Sequence, residues 1–134
     1  MKKSKILVVD DQTWVRRMLL EALEFHGYEV FGASSGCEAL QLASKVKPDL
    51  AVIDMALPEM DGLTLLAKLK EIDLNLRGIM ISGNGENKSA KKALDKGAFA
   101  YLVKPFDISR LEDLIKTALT SRDLHREENI NELR

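Results

Sequence analysis

Four short apolar runs of this sequence each end in polar residues that could handle a phosphoryl group. These polar residues are Asp10 with Asp11, Asp54, Ser82, and Lys104 followed by Pro105. Because buried parallel strands read as short apolar runs, we predict a strand before each of these positions. Ligands of open α/β sheets bind at the carboxyl ends of the strands, so we expect three carboxylates, a hydroxyl and an ammonium at one edge of the sheet.

The carboxylates of Asp10, Asp11 and Asp54 would repel one another, which is costly unless a cation lies among them. Mg²⁺ suits such a cluster best, since it binds carboxylates, keeps several waters and accepts phosphate oxygens as further ligands. With the metal bound, one carboxylate can act as a nucleophile toward phosphorus and form an aspartyl phosphate. Lys104 and the hydroxyl of Ser82 would then hold the other phosphoryl oxygens.

Strand and helix patterns alternate from one end of the chain to the other. Apolar residues at helical spacing follow the strands, and a less apolar run at residues 28–31 predicts a shorter strand at an edge. Right-handed crossovers between such units predict an α/β fold, a single doubly wound, flavodoxin-like sheet of five parallel strands in the order 2-1-3-4-5 with five helices. The first and third strands are then neighbours, so Asp10, Asp11 and Asp54 should lie side by side.

The composition narrows the class of protein. A chain of 134 residues is long enough for one domain with a sizeable core and leaves no room for a second. A formal net charge of −1 points to neither nucleic acid nor a membrane surface as a partner. No apolar run suits a membrane-spanning helix or a signal peptide, so we expect a cytoplasmic protein. The lone Cys37, which we expect to be packed in a helix, can form no internal disulfide and agrees with a reducing compartment.

Each polar strand end, taken alone, also has a purely structural explanation. Asp10 and Asp11 could cap a helix, and Asp54 could be a satisfied turn residue. Ser82 could be a cap, and Lys104 could be a solvated surface lysine. Such explanations must hold separately at four strand ends, whereas one phosphoryl site explains all of them. Asp61 differs, because it precedes the helix that begins near Gly62 and is predicted to cap it.

At these motifs the sequence resembles the receiver domain of response regulators in two-component signalling. The resemblance covers residues 5–120 and is carried by four segments, at residues 9–11, at 54 with 57–62, at 82–83 and at 104–106. Residues 11–12, 72–73 and 104–108 are also similar to the stand-alone receiver of the sporulation phosphorelay. The tail departs from that receiver, and its residues 128, 129 and 133 are closer to the linker of regulators that drive sigma-54-dependent transcription.

The resemblance implies a role for each site residue. Asp54 would be the phosphoacceptor, and Asp10, Asp11 and Asp54 would bind Mg²⁺ together with the backbone carbonyl near Ala56. The other implied roles are phosphoryl binding by Lys104 and Ser82, a conformational switch formed by Ser82 and Tyr101, and a cis peptide bond before Pro105 that aims the lysine over Asp54.

The resemblance also implies a function and partners. A histidine kinase or histidine phosphotransfer protein would donate the phosphoryl group, and the surface formed by the fourth helix, fifth strand and fifth helix would change to regulate an effector protein or domain. The chain would be no enzyme beyond catalysing its own phosphorylation and slow dephosphorylation, and it would bind neither a membrane nor nucleic acid directly. We expect a receiver domain at residues 1–120 and a helical extension or the start of a linker at residues 121–134.

Two other functions of similar folds are less consistent with the residues. Haloacid-dehalogenase phosphatases and phosphomutases also form an aspartyl phosphate, but they carry a second aspartate two residues after the nucleophile, where this chain has Ala56. They also need a cap domain, for which this length leaves no room. A flavin-binding module would need a phosphate-cradling series of Gly and Ser or Thr after the first strand, which is missing.

Overall fold

Strands and helices alternate along the chain. The structure, a computed structural model, describes residues 2–83 and 87–132. Within these residues the strands are β1 (Lys5–Val9), β2 (Glu29–Ala33), β3 (Leu50–Asp54), β4 (Arg77–Ser82) and β5 (Ala100–Val103). The helices over the same part of the chain are α1 (Thr13–Phe25), α2 (Gly36–Val46), α3 (Gly62–Ile72), α4 (Asn87–Asp95) and α5 (Ile108–Glu132).

The strands form one parallel sheet in the order β2-β1-β3-β4-β5, which confirms the predicted topology. β2 lies at an edge, as its weaker apolar character indicates, although its five residues make it as long as β1 and β3. Val9 is in register with Ile53, so the residues that follow β1 and the last residue of β3 share one edge. The topology therefore places the first two acidic motifs side by side.

Both faces of the sheet are covered by helices. Leu7 and Val9 of β1 pack in a core with residues of α2, α3 and α4, whereas Ile6 and Val8 pack with α1 and α5. Successive side chains of a strand point to opposite faces, so a strand covered on both sides must be apolar at every position. This explains why the central strands appear in the sequence as unbroken apolar runs.

Local signals set the helix boundaries. The side chain of Asp61 accepts a hydrogen bond of 2.8 Å from the backbone nitrogen of Thr64, which confirms the predicted cap of α3. α1 ends before Gly27, which has a φ of 95° and so adopts the left-handed conformation that glycine tolerates best. α2 ends at Val46, and Lys47 precedes Pro48 in a non-helical conformation.

Two features of the helices differ from or extend the sequence reading. Cys37 lies in α2 as expected but is exposed rather than packed, because it follows the buried Gly36 on the outer side of the first turn. α5 continues unbroken through most of the tail, and the buried Arg122 forms an ion pair with Asp49 before β3.

No helix in the described part of the chain, α5 included, is long and apolar enough to cross a membrane. The predicted boundary between the receiver domain and the C-terminal extension, at residue 120, stays a prediction.

The start of α3 packs directly against the backbone of β3. A Cβ atom added to Gly62 would lie 2.5 Å from the carbonyl oxygen of Asp54 and 2.9 Å from the Cα of Met55. The Gly62 nitrogen also donates a hydrogen bond of 3.0 Å to the Met55 carbonyl. Because the obstructing atoms belong to the backbone, they cannot move aside as a flexible side chain would.

We therefore expect Gly62→Ala to lower the free energy of unfolding by about 1–3 kcal/mol, the usual cost of overpacking. Gly83→Ala is the matched control, because a Cβ there would meet no described atom within 4 Å. Its effect should stay within about 0.5 kcal/mol. Urea unfolding followed by circular dichroism measures both, and equal stability of the two variants would contradict the close contact.

Candidate functional site

A buried lysine–carboxylate cluster lies at the carboxyl edge of the sheet. The Nζ atom of Lys104 is 3.4 Å from Oδ2 of Asp10 and 3.4 Å from Oδ2 of Asp54. Asp10 is only 2% exposed and Asp54 only 7%. Two carboxylates from adjacent strands are thus bridged by one ammonium group that comes from the residue after β5.

Backbone groups hold both carboxylates. The Oδ1 atom of Asp10 accepts a hydrogen bond of 2.9 Å from the Gln12 nitrogen, and Oδ1 of Asp54 accepts one of 3.0 Å from the Ala56 nitrogen. Each aspartate therefore folds its side chain over the turn that follows its own strand. Gln12, at the N-cap position of α1, makes no side-chain capping bond, so the capping explanation for Asp10 and Asp11 does not describe this helix start.

Asp11 completes a group of three carboxylates. One oxygen from each of Asp10, Asp11 and Asp54 lies within 4.8 Å of the others. Asp11 is exposed, whereas the other two are buried, so the cluster opens to solvent on the Asp11 side. The roles of Asp10, Asp11, Asp54 and the Ala56 carbonyl as metal ligands stay predictions.

The electrostatics of the cluster favour a bound cation. Burial raises the pKa of Asp10, and the charge of Asp54 adds to the rise. These effects outweigh the hydrogen bond from Gln12 and the attraction of Lys104, which lower the same pKa. One ammonium group therefore does not compensate the crowded carboxylates, and the oxygen-only donor set fits a hard divalent ion such as Mg²⁺.

Ser82 and Tyr101 lie on the neighbouring strands β4 and β5, of which β4 is the one next to β3. Ser82 ends β4, is buried, and is in register with Val103 of β5. Its carbonyl accepts a hydrogen bond of 2.8 Å from the Lys104 nitrogen, so β4 holds the lysine backbone directly. Tyr101 is half-buried and packs against the core on the α2, α3 and α4 side of the sheet.

The loop after β5 borders an apolar groove. The Lys104–Pro105 peptide bond is cis, the isomer expected from the resemblance. The groove has a volume of about 480 Å³, and its walls include Trp14, Met18 and Phe106. Trp14 is 69% exposed, so a large apolar surface faces solvent beside the cluster.

Sequence reasoning missed one residue that contacts the site. Nη1 of Arg16 donates a hydrogen bond of 2.7 Å to the backbone carbonyl of Asp10. Helical side chains point back toward the N-terminus of their helix, so an arginine in the first turns of α1 can reach the preceding loop. The backward tilt of helical side chains could have pointed to this contact from the sequence, although the same tilt applies to the exposed Arg17 beside it.

Comparison with known proteins identifies the class that this fold and site define. Residues 6–116 match the family model described as the response regulator receiver domain. The chain is 40% identical over 119 residues to the Sporulation initiation phosphotransferase F of Bacillus subtilis (strain 168), a match that covers 89% of this chain and 96% of that protein. The chain belongs to the response regulator receiver domain family.

Solved structures agree with this assignment. NtrX from Brucella abortus, solved in complex with ATP, superposes with a TM-score of 0.90 at 33% identity, covering 99% of this chain and 30% of that chain. The CheX-CheY-BeF3-Mg+2 complex from Borrelia burgdorferi gives a TM-score of 0.79 at 31% identity, covering 85% of this chain and 87% of that chain. The chain spans less than a third of NtrX but nearly all of the sporulation protein.

Membership of this family establishes the general function. The chain is a receiver domain of two-component and phosphorelay signalling, a phosphoryl-accepting switch and not a classical enzyme. Receiver domains generally bind Mg²⁺ and interact with kinases and effector domains. The alternatives of a phosphatase and a flavin-binding module are thereby set aside.

The raised pKa of Asp10 has a consequence for stability. The folded chain holds the Asp10 proton more tightly than the unfolded chain does. Ionisation of Asp10 therefore lowers the stability of the fold as the pH rises above the ordinary pKa of an aspartate. Asp10→Asn should therefore raise the melting temperature of the metal-free protein near neutral pH. The gain should disappear as the pH falls below the ordinary pKa of an aspartate, where both states are protonated.

Thermal unfolding with a chelator present, measured across this pH range, tests the expectation. Glu21→Gln, at an exposed position of α1, is the control for net charge. Addition of Mg²⁺ should stabilise the native chain more than Asp10→Asn, because a ligand stabilises the state that binds it. A lower metal-free melting temperature for Asp10→Asn near neutral pH would contradict the electrostatic account.

Proposed function

We propose that Asp54 accepts a phosphoryl group from a phosphohistidine and that this modification changes the surface formed by α4, β5 and α5. The observation that carries the proposal is the convergence of Asp10, Asp11, Asp54 and Lys104 at one edge of the sheet. Asp54 is the central member, because β3 lies between β1, which leads into Asp10, and β4, which ends at Ser82. A phosphoryl group on Asp54 would thus meet polar groups from both neighbouring strands.

Asp10, Asp11 and Asp54, with the backbone carbonyl of Ala56, would hold Mg²⁺. The bound ion would supply positive charge beside the phosphoryl oxygens. Three carboxylates against the single ammonium of Lys104 leave a net charge of about −2, which one divalent ion neutralises. The CheY of Borrelia burgdorferi was solved in a complex that includes BeF3 and Mg+2, which supports the same assignment for this chain.

The chemical step needs few protein groups. A carboxylate oxygen of Asp54 bonds to phosphorus as the phosphorus–nitrogen bond of the phosphohistidine breaks, and the imidazole leaves with the electron pair. Lys104 already faces Oδ2 of Asp54 and can pair with a phosphoryl oxygen, while the Ser82 hydroxyl donates to another. Water attack on the aspartyl phosphate restores Asp54. The chain would therefore catalyse only its own phosphorylation and slow dephosphorylation.

Asp54→Asn should abolish labelling by acetyl phosphate in the presence of Mg²⁺, because the amide lacks the nucleophilic carboxylate. Intact mass spectrometry should show one added phosphoryl group on the native chain and none on the variant. Asp61→Asn is the matched control, since it changes a neighbouring aspartate outside the cluster and asparagine is also a good helix cap. Labelling of Asp54→Asn at the native rate would show that another residue is the phosphoacceptor.

The conformational response would pass through Ser82 and Tyr101. A charge-assisted hydrogen bond from the Ser82 hydroxyl to the phosphoryl group would draw it inward and leave space into which Tyr101 can rotate. The two residues lie on adjacent strands, and α4 packs against β5. A modification shifts a conformational equilibrium only as far as it interacts differently with the two conformations. The active conformation should therefore already exist as a minority in the unphosphorylated chain.

Ser82→Ala should leave Asp54 able to accept the phosphoryl group while weakening the response of α4, β5 and α5. The variant removes the hydroxyl that senses phosphate and keeps the acceptor carboxylate. NMR chemical-shift changes on phosphorylation, compared at equal phosphorylation levels, measure the response. Shift changes on β5 as large as those of the native chain would show that Ser82 is not the coupling residue.

Partners follow from the same geometry. A protein donor would be a histidine kinase or a histidine phosphotransfer protein, which must bring its phosphohistidine to the cluster edge. The apolar groove beside Lys104, with its exposed Trp14 and half-exposed Met18, offers such a donor contact area next to the acceptor. The phosphorylated α4, β5 and α5 surface would in turn regulate an effector protein or domain.

The domain organisation completes the proposal. Residues 1–120 would form the receiver domain, and residues 121–134 a helical extension or the start of a linker. The match to NtrX covers 99% of this chain, whereas the match to the CheX–CheY complex covers 85%, which supports a linker-like role for the tail. The ion pair between Arg122 and Asp49 would fix the direction in which this extension leaves the domain.

A further inference from the structure

Arg16 connects α1 to the loop that carries Asp10 and Asp11. Its Nη1 atom donates a hydrogen bond of 2.7 Å to the backbone carbonyl of Asp10, while its backbone nitrogen donates one of 3.0 Å to the Gln12 carbonyl. Hydrogen bonds from a guanidinium are short and strong because the donor is charged. The side chain thus bridges the first turn of α1 and the end of β1.

The stem of Arg16 is held in place by the sheet. A Cβ atom added to Gly32 of β2 would lie 3.4 Å from Cδ and 3.6 Å from Cγ of Arg16, so the arginine passes closely over this glycine. The guanidinium is also near α2, since its charge contributes to a lowered pKa of Glu38, after the larger effect of the hydrogen bonds from Ser34. Arg16 is therefore a half-buried, packed side chain and not a solvated surface charge.

Asp10 and Asp11 are held very differently. The backbone nitrogen of Asp10 donates to the Ala33 carbonyl at 3.1 Å, its Oδ1 accepts from Gln12, and its Oδ2 faces Lys104. Among the side chains that the structure describes, by contrast, no hydrogen bond or ion pair holds the Asp11 carboxylate. The peptide plane between Asp10 and Asp11 fixes the position of the Asp11 Cα, from which this otherwise unanchored carboxylate extends.

We infer that Arg16 is a positioning residue for the Mg²⁺ site, acting by locking the peptide between Asp10 and Asp11. The carbonyl of Asp10 and the N–H of Asp11 belong to one rigid plane, so a hydrogen bond to the carbonyl also fixes where Asp11 begins. Mg²⁺ demands near-ideal octahedral geometry, whereas Ca²⁺ tolerates irregular ligand sets. The inference rests on the proposed function, because it requires that Asp10 and Asp11 bind the metal.

The charge of Arg16 and its hydrogen bond to the Asp10 carbonyl predict opposite changes in Mg²⁺ affinity when Arg16 is replaced. Removing a cation near three carboxylates should strengthen divalent-ion binding if only Coulomb attraction matters. Loss of the carbonyl hydrogen bond should instead weaken it, because groups that hold metal ligands in place typically contribute 10–100-fold to affinity. The sign of the change therefore separates the two roles.

The test compares Arg16→Met with Arg17→Met by calorimetric titration with Mg²⁺ and, separately, with Ca²⁺. Methionine keeps an apolar stem over Gly32 but has no donor for the carbonyl, and the exposed Arg17 provides the same change of charge one residue away. Arg16→Met should bind Mg²⁺ about 10-fold more weakly, with a smaller loss for Ca²⁺. Arg17→Met should match the native chain or bind slightly more tightly, and Arg16→Lys, which keeps a charged donor, should recover part of the loss.

Phosphorylation by acetyl phosphate gives a second readout. For Arg16→Met, the Mg²⁺ concentration at half-maximal rate should rise while the rate at saturating Mg²⁺ stays near the native value. The carbonyl carbon of Asp10 should also shift in the NMR spectrum of the metal-free variant, because it loses a charged donor. If Arg16→Met does not fold, Arg16→Gln, which is too short to keep the contact, takes its place.

Native or tighter Mg²⁺ binding by the Arg16 variant would overturn the inference while leaving the proposed function intact. Equal losses for Mg²⁺ and Ca²⁺ would also overturn it, since a general disruption of the loop affects both ions. If the native chain binds no Mg²⁺, the proposed function and the inference fail together.

Discussion

Repulsion among three carboxylates at the carboxyl edge of a parallel sheet is the interaction on which the rest of this structure depends. The order of the strands makes it unavoidable, because β1 and β3 are neighbours and each leads into acidic residues. Burial of Asp10 and Asp54 intensifies it, since water screens neither charge well. Burial raises the pKa of Asp10 and the charge of Asp54 adds to the rise, although Lys104 lowers the same pKa. A fold optimised for stability alone would avoid this arrangement, and a cation and a phosphoryl group bound there, as proposed, would relieve the repulsion.

The cluster is connected to the rest of the sheet through the backbone. Lys104 reaches Asp54 from β5, across the intervening β4, and its backbone nitrogen is bonded to the Ser82 carbonyl. The lysine that pairs with Asp54 and the serine proposed to sense phosphate are thus joined by one backbone hydrogen bond. Gly62 adds rigidity on the other side, because α3 begins against the carbonyl of Asp54 itself. A conformational response to phosphorylation would therefore meet close backbone packing at α3, whereas β4 and β5 carry the two residues of the proposed switch.

Most of the fold and part of the candidate site could be predicted from the sequence, for reasons that differ from one residue to another. Strands covered on both faces must be apolar throughout, so β1, β3 and β4 were recognisable, and strand order then grouped Asp10 with Asp54. The cap at Asp61 was recognisable because its hydrogen bond is local. Cys37 was predicted to be packed but is exposed. A shift of one residue along a helix decides which side chain faces the core, and the buried residue here is Gly36, which has no apolar side chain that would reveal this in the sequence. The contact of Arg16 depends on the path of a long side chain over Gly32, which no spacing encodes.

Phosphorylation of Asp54 would change how Lys104 interacts with its two carboxylates. In the structure the Nζ atom lies at the same distance, 3.4 Å, from Oδ2 of Asp10 and from Oδ2 of Asp54. A phosphoryl group on Asp54 would carry more negative charge than the carboxylate that it replaces, so the lysine would move toward it and Asp10 would lose its only ammonium partner among the described residues. Asp10 is too buried to be compensated by water alone, and the divalent ion beside Asp11 would have to replace the lost attraction. The ion would therefore do more than stabilise charge on the phosphoryl oxygens, because it would also make the lysine available, and both proposed roles agree with a site on the Asp11 side of the cluster.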